Sequence, residues 1–162
     1  MKPEHVLIHD KLRAAFPSVP IAADGAFQSW GMTYLDVGPY ADKLDGKRWE
    51  DLDQDYLMVR SDALGFLGTR HLIAVLPAYL TAMLERPTSD VPGMLKLILT
   101  KPSKQHKDGL GKQRFTELIE ALTASQRAAI AAALRQFSAE HPEDDAARVP
   151  LESFWDGQLH GD

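Results

Sequence analysis

The stretch TRHLIAVLPAYLTAMLER, residues 69–86, decides the fold. Read as a helix, it places Leu72, Ile73, Val75, Leu76, Tyr79, Leu80, Met83 and Leu84 over well more than half of its circumference, the pattern of a central helix packed on several neighbours. Pro77 removes one amide donor and clashes with the carbonyl four residues back, which predicts a kink or the start of a new helix there. The uncharged run inside the stretch, His71 to Leu84, is 14 residues long. That is short of the roughly 18 to 20 residues that cross a bilayer.

Around this element the apolar spacing is helical almost throughout. Ile8, Leu12, Ala15 and Phe16 define an amphipathic helix over His5–Phe16, stopped by Pro17. Phe27, Trp30 and Tyr34 share a helical face interrupted by Gly31, so Ala26–Tyr34 is ambiguous. The turn dipeptides Gly38-Pro39 and Asp45-Gly46 bracket a short helix at Tyr40–Leu44. A further helix spans roughly residues 52–60, and Ser61 or Asp62 is placed to cap the turn that follows.

On the C-terminal side, Met94–Thr100 alternates like a strand yet also sets Leu95, Ile98 and Leu99 on one helical face. Because no second convincing strand exists to pair with it, it is read as helix. Lys101–Lys112 reads as a basic loop and Gln113–Leu122 as a helix. Thr123-Ala124-Ser125-Gln126 fits a capping box opening a helix over Ala124–Ala139, with Ile130, Leu134 and Phe137 on one stripe. Asp144–Trp155 is a last amphipathic piece, offering Val149, Leu151, Phe154 and Trp155 to the core. The predicted architecture is all-α: a compact single-domain helical bundle, residues 1–162, around a central, proline-interrupted apolar helix.

Composition bounds the chemistry. With 44% hydrophobic and 25% charged residues the chain has the make-up of a soluble globular domain, and with no cysteine it has no disulfide, thiolate nucleophile or cysteine-held metal. The start Met1-Lys2-Pro3-Glu4-His5 meets charge and proline before any apolar run, unlike a secretory signal, so a cytoplasmic location without a membrane partner is expected. The net charge of −5 hides a split. Lys96–Arg114 holds six cations against Asp108, whereas Asp36–Asp55 holds seven anions against three cations, and the tail from Glu140 is acidic. Blocks of one sign steer partners of the other, or are simply solvated faces.

Four stretches taken together, Trp49-Glu50-Asp51-Leu52, Phe66-Leu67 with Leu76-Pro77-Ala78-Tyr79-Leu80, Leu99-Thr100-Lys101-Pro102, and Leu122-Thr123-Ala124-Ser125-Gln126-Arg127-Ala128-Ala129-Ile130, resemble a family of small bacterial helical proteins, a domain of unknown function. Phe154-Trp155 matches that family's terminal aromatic pair, and Ala74-Val75 stands where the family usually has an aromatic pair. The resemblance covers roughly residues 45–156. It implies a helical bacterial domain and transfers no catalytic residue.

Few residues nominate chemistry. His5 and His9, four apart, share one helix edge as ligand pairs do, but nothing supplies a third ligand, and a solvated surface is the plainer reading. Asp62, Arg70 and His71 flank the entry to the central helix. They offer either a carboxylate-oriented base beside an anion-holding arginine, or merely an Asp62–Arg70 bridge with His71 on the surface. Gly109-Leu110-Gly111-Lys112 hints at a phosphate loop, but Gln113 stands where Ser or Thr is needed and no strand precedes it. What remains is a cationic loop, Lys101, Lys104, Lys107 and Lys112, able to hold an anion. It lacks the interleaved aromatics of a nucleic-acid site. Trp30, Trp49 and Trp155 read as core anchors.

No catalytic or cofactor fingerprint emerges, and no cofactor is predicted. The expectation is a protein-binding module of immunity or adaptor type. Trp49, Glu50, Asp51, Asp53 and Asp55 would meet a basic partner by charge complementarity around an aromatic anchor. A regulatory or scaffold domain, or an enzyme using Asp62, Arg70 and His71, are the alternatives.

Overall fold

The structure, a computed structural model, describes residues 1–23, 34–105, 107 and 109–158. Of the ambiguous Ala26–Tyr34, residues 26–33, with Trp30, lie outside them, as does the charge of Asp108. Eight α-helices occur among the described residues and no strand: α1 (Pro3–Ala15), α2 (Tyr34–Leu44), α3 (Gln54–Val59), α4 (Thr69–Glu85), α5 (Val91–Leu99), α6 (Gly109–Ala121), α7 (Ala124–Glu140) and α8 (Asp145–Ser153). Short 3-10 turns lie at Trp49–Asp51, Ser61–Gly65 and Trp155–Gln158. The all-α expectation holds, and Met94–Leu99 falls in a helix that starts earlier, at Val91, with Pro92 in its first turn and Thr100 as its C-cap.

α4 is the hub, in contact with α1, α3, α5, α6 and α7. Leu72, Leu76, Tyr79, Leu80, Met83, Ile130, Leu134 and Phe137 are all buried, as their spacing predicts. The helix runs unbroken through Pro77, so no second helix begins there. A proline inside a helix costs about 3 kcal/mol, whereas each fully buried large apolar side chain contributes roughly 1.5–3 kcal/mol. Val75 and Leu76 before the proline and Tyr79, Leu80 and Met83 after it are all buried, which outweighs the one lost bond.

The same balance explains α2, which continues through Gly38-Pro39 instead of turning there, because Tyr40 and Leu44 beyond the proline are fully buried. Gly46 ends the helix with φ of 76°, a left-handed conformation that favours glycine. Its amide donates to the Ile21 carbonyl at 2.8 Å, and the Ile21 amide donates to the Lys47 carbonyl at 2.8 Å. These bonds dock residues 17–23 against the end of α2.

Other local readings are refined. Asp53, not Ser61 or Asp62, is the cap in this region: it opens α3 by accepting from the Asp55 amide at 2.9 Å, while the Ser61–Gly65 turn has no side-chain cap. Gly109-Leu110-Gly111-Lys112 is the first turn of α6, not loop. Glycine weakens a helix least where the amides lack intrahelical partners anyway, and the buried Phe115 and Leu118 hold the turns that follow. The capping box is present in full. Gln126 N–H donates to Thr123 Oγ1 at 3.1 Å, and Thr123 N–H donates to Gln126 Oε1 at 2.9 Å. Trp155 closes the core, its Nε1 donating at 2.7 Å to the Leu99 carbonyl and so satisfying the C-terminal end of α5.

Candidate functional site

Helices α5 and α6 diverge around residues 100–103, and the gap between them is a cleft of about 710 Å³. Leu67, Leu72, Ile98, Phe115 and Leu118 form an apolar floor, with Gly65, Gly111 and Val149 at its edges. Behind it Phe115 meets Phe154 edge-on at 5.6 Å and Phe154 meets Trp155 at 5.1 Å, a rigid aromatic backing. Lys96, Lys101 and Arg114 are the charged residues lining the cleft, and no carboxylate lines it among the described residues.

Lys96 and Arg114 are held through their side chains and Lys101 through its backbone. Lys96 Nζ lies 3.0 Å from Asp145 Oδ2, and that hydrogen bond pulls the Asp145 carboxyl below its ordinary range. The Lys101 amide donates to Ser153 Oγ at 3.0 Å, and Ser153 donates to the Pro150 carbonyl at 2.8 Å, which ties the chain leaving α5 to α8. Arg114 Nη2 donates to the Leu64 carbonyl at 3.4 Å. At the mouth Leu97 is 72% exposed, so the apolar surface runs out of the cleft into solvent.

The cationic-loop reading is therefore redistributed. Among its four lysines Lys101 lines the cleft, Lys112 folds back so that its Nζ donates to the Lys104 carbonyl at 3.2 Å, and Lys104 and Lys107 are exposed. Lys96 and Arg114, the ends of the six-cation block in the sequence, complete the positive rim from two different helices.

The acidic segment is organised differently from the expectation. Trp49 is 3% exposed and packs against His9 with ring centroids 5.4 Å apart, so it is a core residue and not a surface anchor. Its indole is drawn inside because the 3-10 turn lies against α4. Glu50 accepts from Ser18 Oγ at 3.0 Å, Asp53 caps α3, and Asp55 pairs with Arg86 at 3.3 Å. Asp51 stands exposed.

Of Asp62, Arg70 and His71 the structure brings only the last two together, with Arg70 Nη2 3.3 Å from His71 Nε2. Asp62 pairs with Arg60 at 3.0 Å, so the Asp62–Arg70 bridge does not form, and His71 is buried rather than on the surface. His71 Nε2 also lies 3.1 Å from the Ala22 carbonyl. The buried phenols are poor bases. Burial pushes both Tyr40 and Tyr79 well above the ordinary tyrosine range, and Tyr79 donates to the Arg60 carbonyl at 2.7 Å while lying 3.1 Å from the Tyr40 hydroxyl.

His5 and His9 part company. His5 is 4% exposed, with Nδ1 at 2.7 Å from Glu85 Oε1 and Nε2 at 2.9 Å from Glu140 Oε2. A ring with a carboxylate on each nitrogen is an imidazolium and has no lone pair for a metal. Burial opposes that charge, but the hydrogen bonds and charges of Glu140 and Glu85 outweigh it and raise the His5 pKa. This link joins α1 to the C-terminal ends of α4 and α7, where an imidazolium complements the helix dipoles.

No helix of the described residues is long and apolar enough to cross a membrane. No protein-family profile, curated protein or solved structure matches the chain.

Proposed function

We propose that the protein is a binding module whose cleft between α5 and α6 receives an acidic, amphipathic segment of a partner protein. The observation that carries this reading is the combination in one concavity of an apolar floor with Lys96, Lys101 and Arg114, of which Lys96 is paired with Asp145 outside the lining, and no carboxylate among the described lining residues. A volume of about 710 Å³ lies within the range of roughly 300–1,000 Å³ typical of ligand sites. Exposed Leu97 at the mouth favours a chain that continues across the surface over an enclosed small molecule. Apolar side chains would fill the floor while carboxylates meet the rim, giving both affinity and charge-steered encounter.

A basic partner on Asp51, Asp53 and Asp55 is the second reading, favoured by the exposure of those three residues. It has lost its aromatic anchor, because Trp49 is buried.

Titration of the isotope-labelled protein with a synthetic leucine–glutamate helical peptide, and separately with its leucine–lysine counterpart, distinguishes the two. The acidic peptide is expected to shift backbone resonances of residues 94–103 and 111–118, more weakly as salt rises. Lys101→Glu combined with Leu97→Asp should weaken binding at least tenfold with the circular dichroism spectrum unchanged. Shifts confined to residues 50–55 on adding the basic peptide would transfer the site to the acidic segment. No response to either peptide would remove both readings.

A further inference from the structure

The two most exposed large apolar residues among those described are Val59, 78% exposed, and Leu97, 72% exposed. Each stands among charges of one sign, and the two signs are opposite. Val59 ends α3 four residues after Asp55 and so shares its helix face, with Asp51 and Asp53 exposed just before the helix. Leu97 lies at the mouth of the cleft whose charged lining is Lys96, Lys101 and Arg114. Leu7, the next most exposed apolar residue within a helix, differs from both, because Glu4 and Lys11 flank it on α1 with charges of both signs.

We infer that the cleft between α5 and α6 receives residues 51–59 of a second copy of this chain, with Val59 against Leu97 and the apolar floor and the three aspartates against the positive rim. This names the partner of the binding module proposed above and rests on that reading. The charges are available on both sides. Asp53 spends one oxygen, Oδ1, on capping α3. Asp55 and Arg86 pair through side chains 73% and 50% exposed, and such a surface pair, worth about 0.2–1 kcal/mol, exchanges readily for another. Lys101 is fixed through its backbone amide, which leaves its ammonium to a partner. One copy cannot make the contact with itself. Asp55 meets Arg86 at the C-terminal end of α4, whereas Thr69 and Leu72 at its N-terminal end line the cleft, and a rise of about 1.5 Å per residue separates the two ends by roughly 20 Å. The contact therefore joins unlike faces of two copies, and it propagates as a chain or closes into a ring. The net charge of −5 opposes association at long range, but at physiological salt charges act over only about 8 Å, so the opposite local blocks decide at contact.

The experiment is sedimentation velocity on the full chain from micromolar to millimolar concentration. The mean mass should rise with concentration, and the association constant should fall at least tenfold between about 0.05 M and about 0.5 M salt. Two variants separate the faces: Leu97→Asp with Lys101→Glu spoils the cleft, and Asp51→Asn with Asp55→Asn and Val59→Ser spoils the acidic face while keeping the Asp53 cap. Each alone should stay monomeric. Mixed, they should form a one-to-one pair and nothing larger, since one supplies an intact acidic face and the other an intact cleft; that pairing also shows that both are folded. Either variant associating as the parent does, a mixture that stays monomeric, or association strengthened by salt overturns the inference. A parent that is monomeric throughout overturns it as well, and leaves the cleft reading standing if the leucine–glutamate peptide still shifts residues 94–103.

Discussion

Replacing His5 by Ala removes a cation that joins three helices, and its cost can be worked from the surroundings. The imidazole is 4% exposed, and the Glu85 and Glu140 side chains are 24% and 17% exposed. Taking one member from a fully buried ion pair costs about 3–5 kcal/mol, whereas an exposed pair is worth about 0.2–1 kcal/mol. The carboxylates left behind reach solvent in part and rehydrate, and Lys2 lies 3.5 Å from Glu140 while Gln136 donates to it at 3.0 Å. An intermediate loss of about 2 kcal/mol is therefore expected in urea unfolding.

The pH dependence carries the sharper test of the same link. The folded pKa of His5 lies above its ordinary 6.5, so its contribution is fully present below pH 6.5 and is lost as pH rises through the raised value. Burial pushes Glu140 up, but the hydrogen bonds from His5 and Gln136 and the charges of His5 and Lys2 outweigh it and lower its pKa. Its contribution is present above pH 4.5 and is lost as pH falls through the lowered value. The stability difference between the parent and His5→Gln should accordingly be largest between those limits and shrink on either side. The difference cancels the other histidines. A difference that stays flat between about pH 5 and about pH 9 would mean that His5 is neutral in the fold, and would refute the assignment of a proton to each ring nitrogen.

Three further substitutions probe the core and its caps. Leu80→Ala should destabilise by about 2–5 kcal/mol because the side chain is fully buried on α4; a negligible shift of the urea midpoint would show that the core tolerates the cavity. Thr123→Ala should cost about 1 kcal/mol through loss of the acceptor for the Gln126 amide, and an unchanged melting curve would mean that water replaces the cap. Trp155→Phe keeps an aromatic side chain but leaves a gap in the core and strands the Leu99 carbonyl, with an expected loss of at least about 1–3 kcal/mol by chemical unfolding. Recovery of parental stability in that variant would show that the carbonyl is hydrated.

What the sequence by itself determined is what depends on neighbours along the chain. The period of residues 69–86 marks α4 and its buried face, since 3.6-residue periodicity is a local property of one helix. The capping box is legible because its two hydrogen bonds span three residues. The elements that resisted a local reading are those in which distant burial overrode a local signal: Gly38-Pro39 reads as a turn and Pro77 as a kink or a new start, yet the apolar side chains beyond them are buried and the helices continue. Trp49 read both as a core anchor and as the centre of an acidic face; only its packing under α1 and against α4 decided for the core.

The sequence showed the cationic block but not the polar sites as assembled. His5 meets Glu85 and Glu140 across 80 and 135 positions, and nothing in the spacing of His5 and His9 foretells it. The cleft joins residues of α4, α5, α6 and α8, and its positive rim combines Lys101 with Lys96 and Arg114 from separate helices. Helical periodicity says which side of each helix turns inward, but not which neighbour it meets or where two helices part to leave a cleft. Those are settled by the simultaneous packing of all the apolar faces, a property of the assembled core and of no single segment.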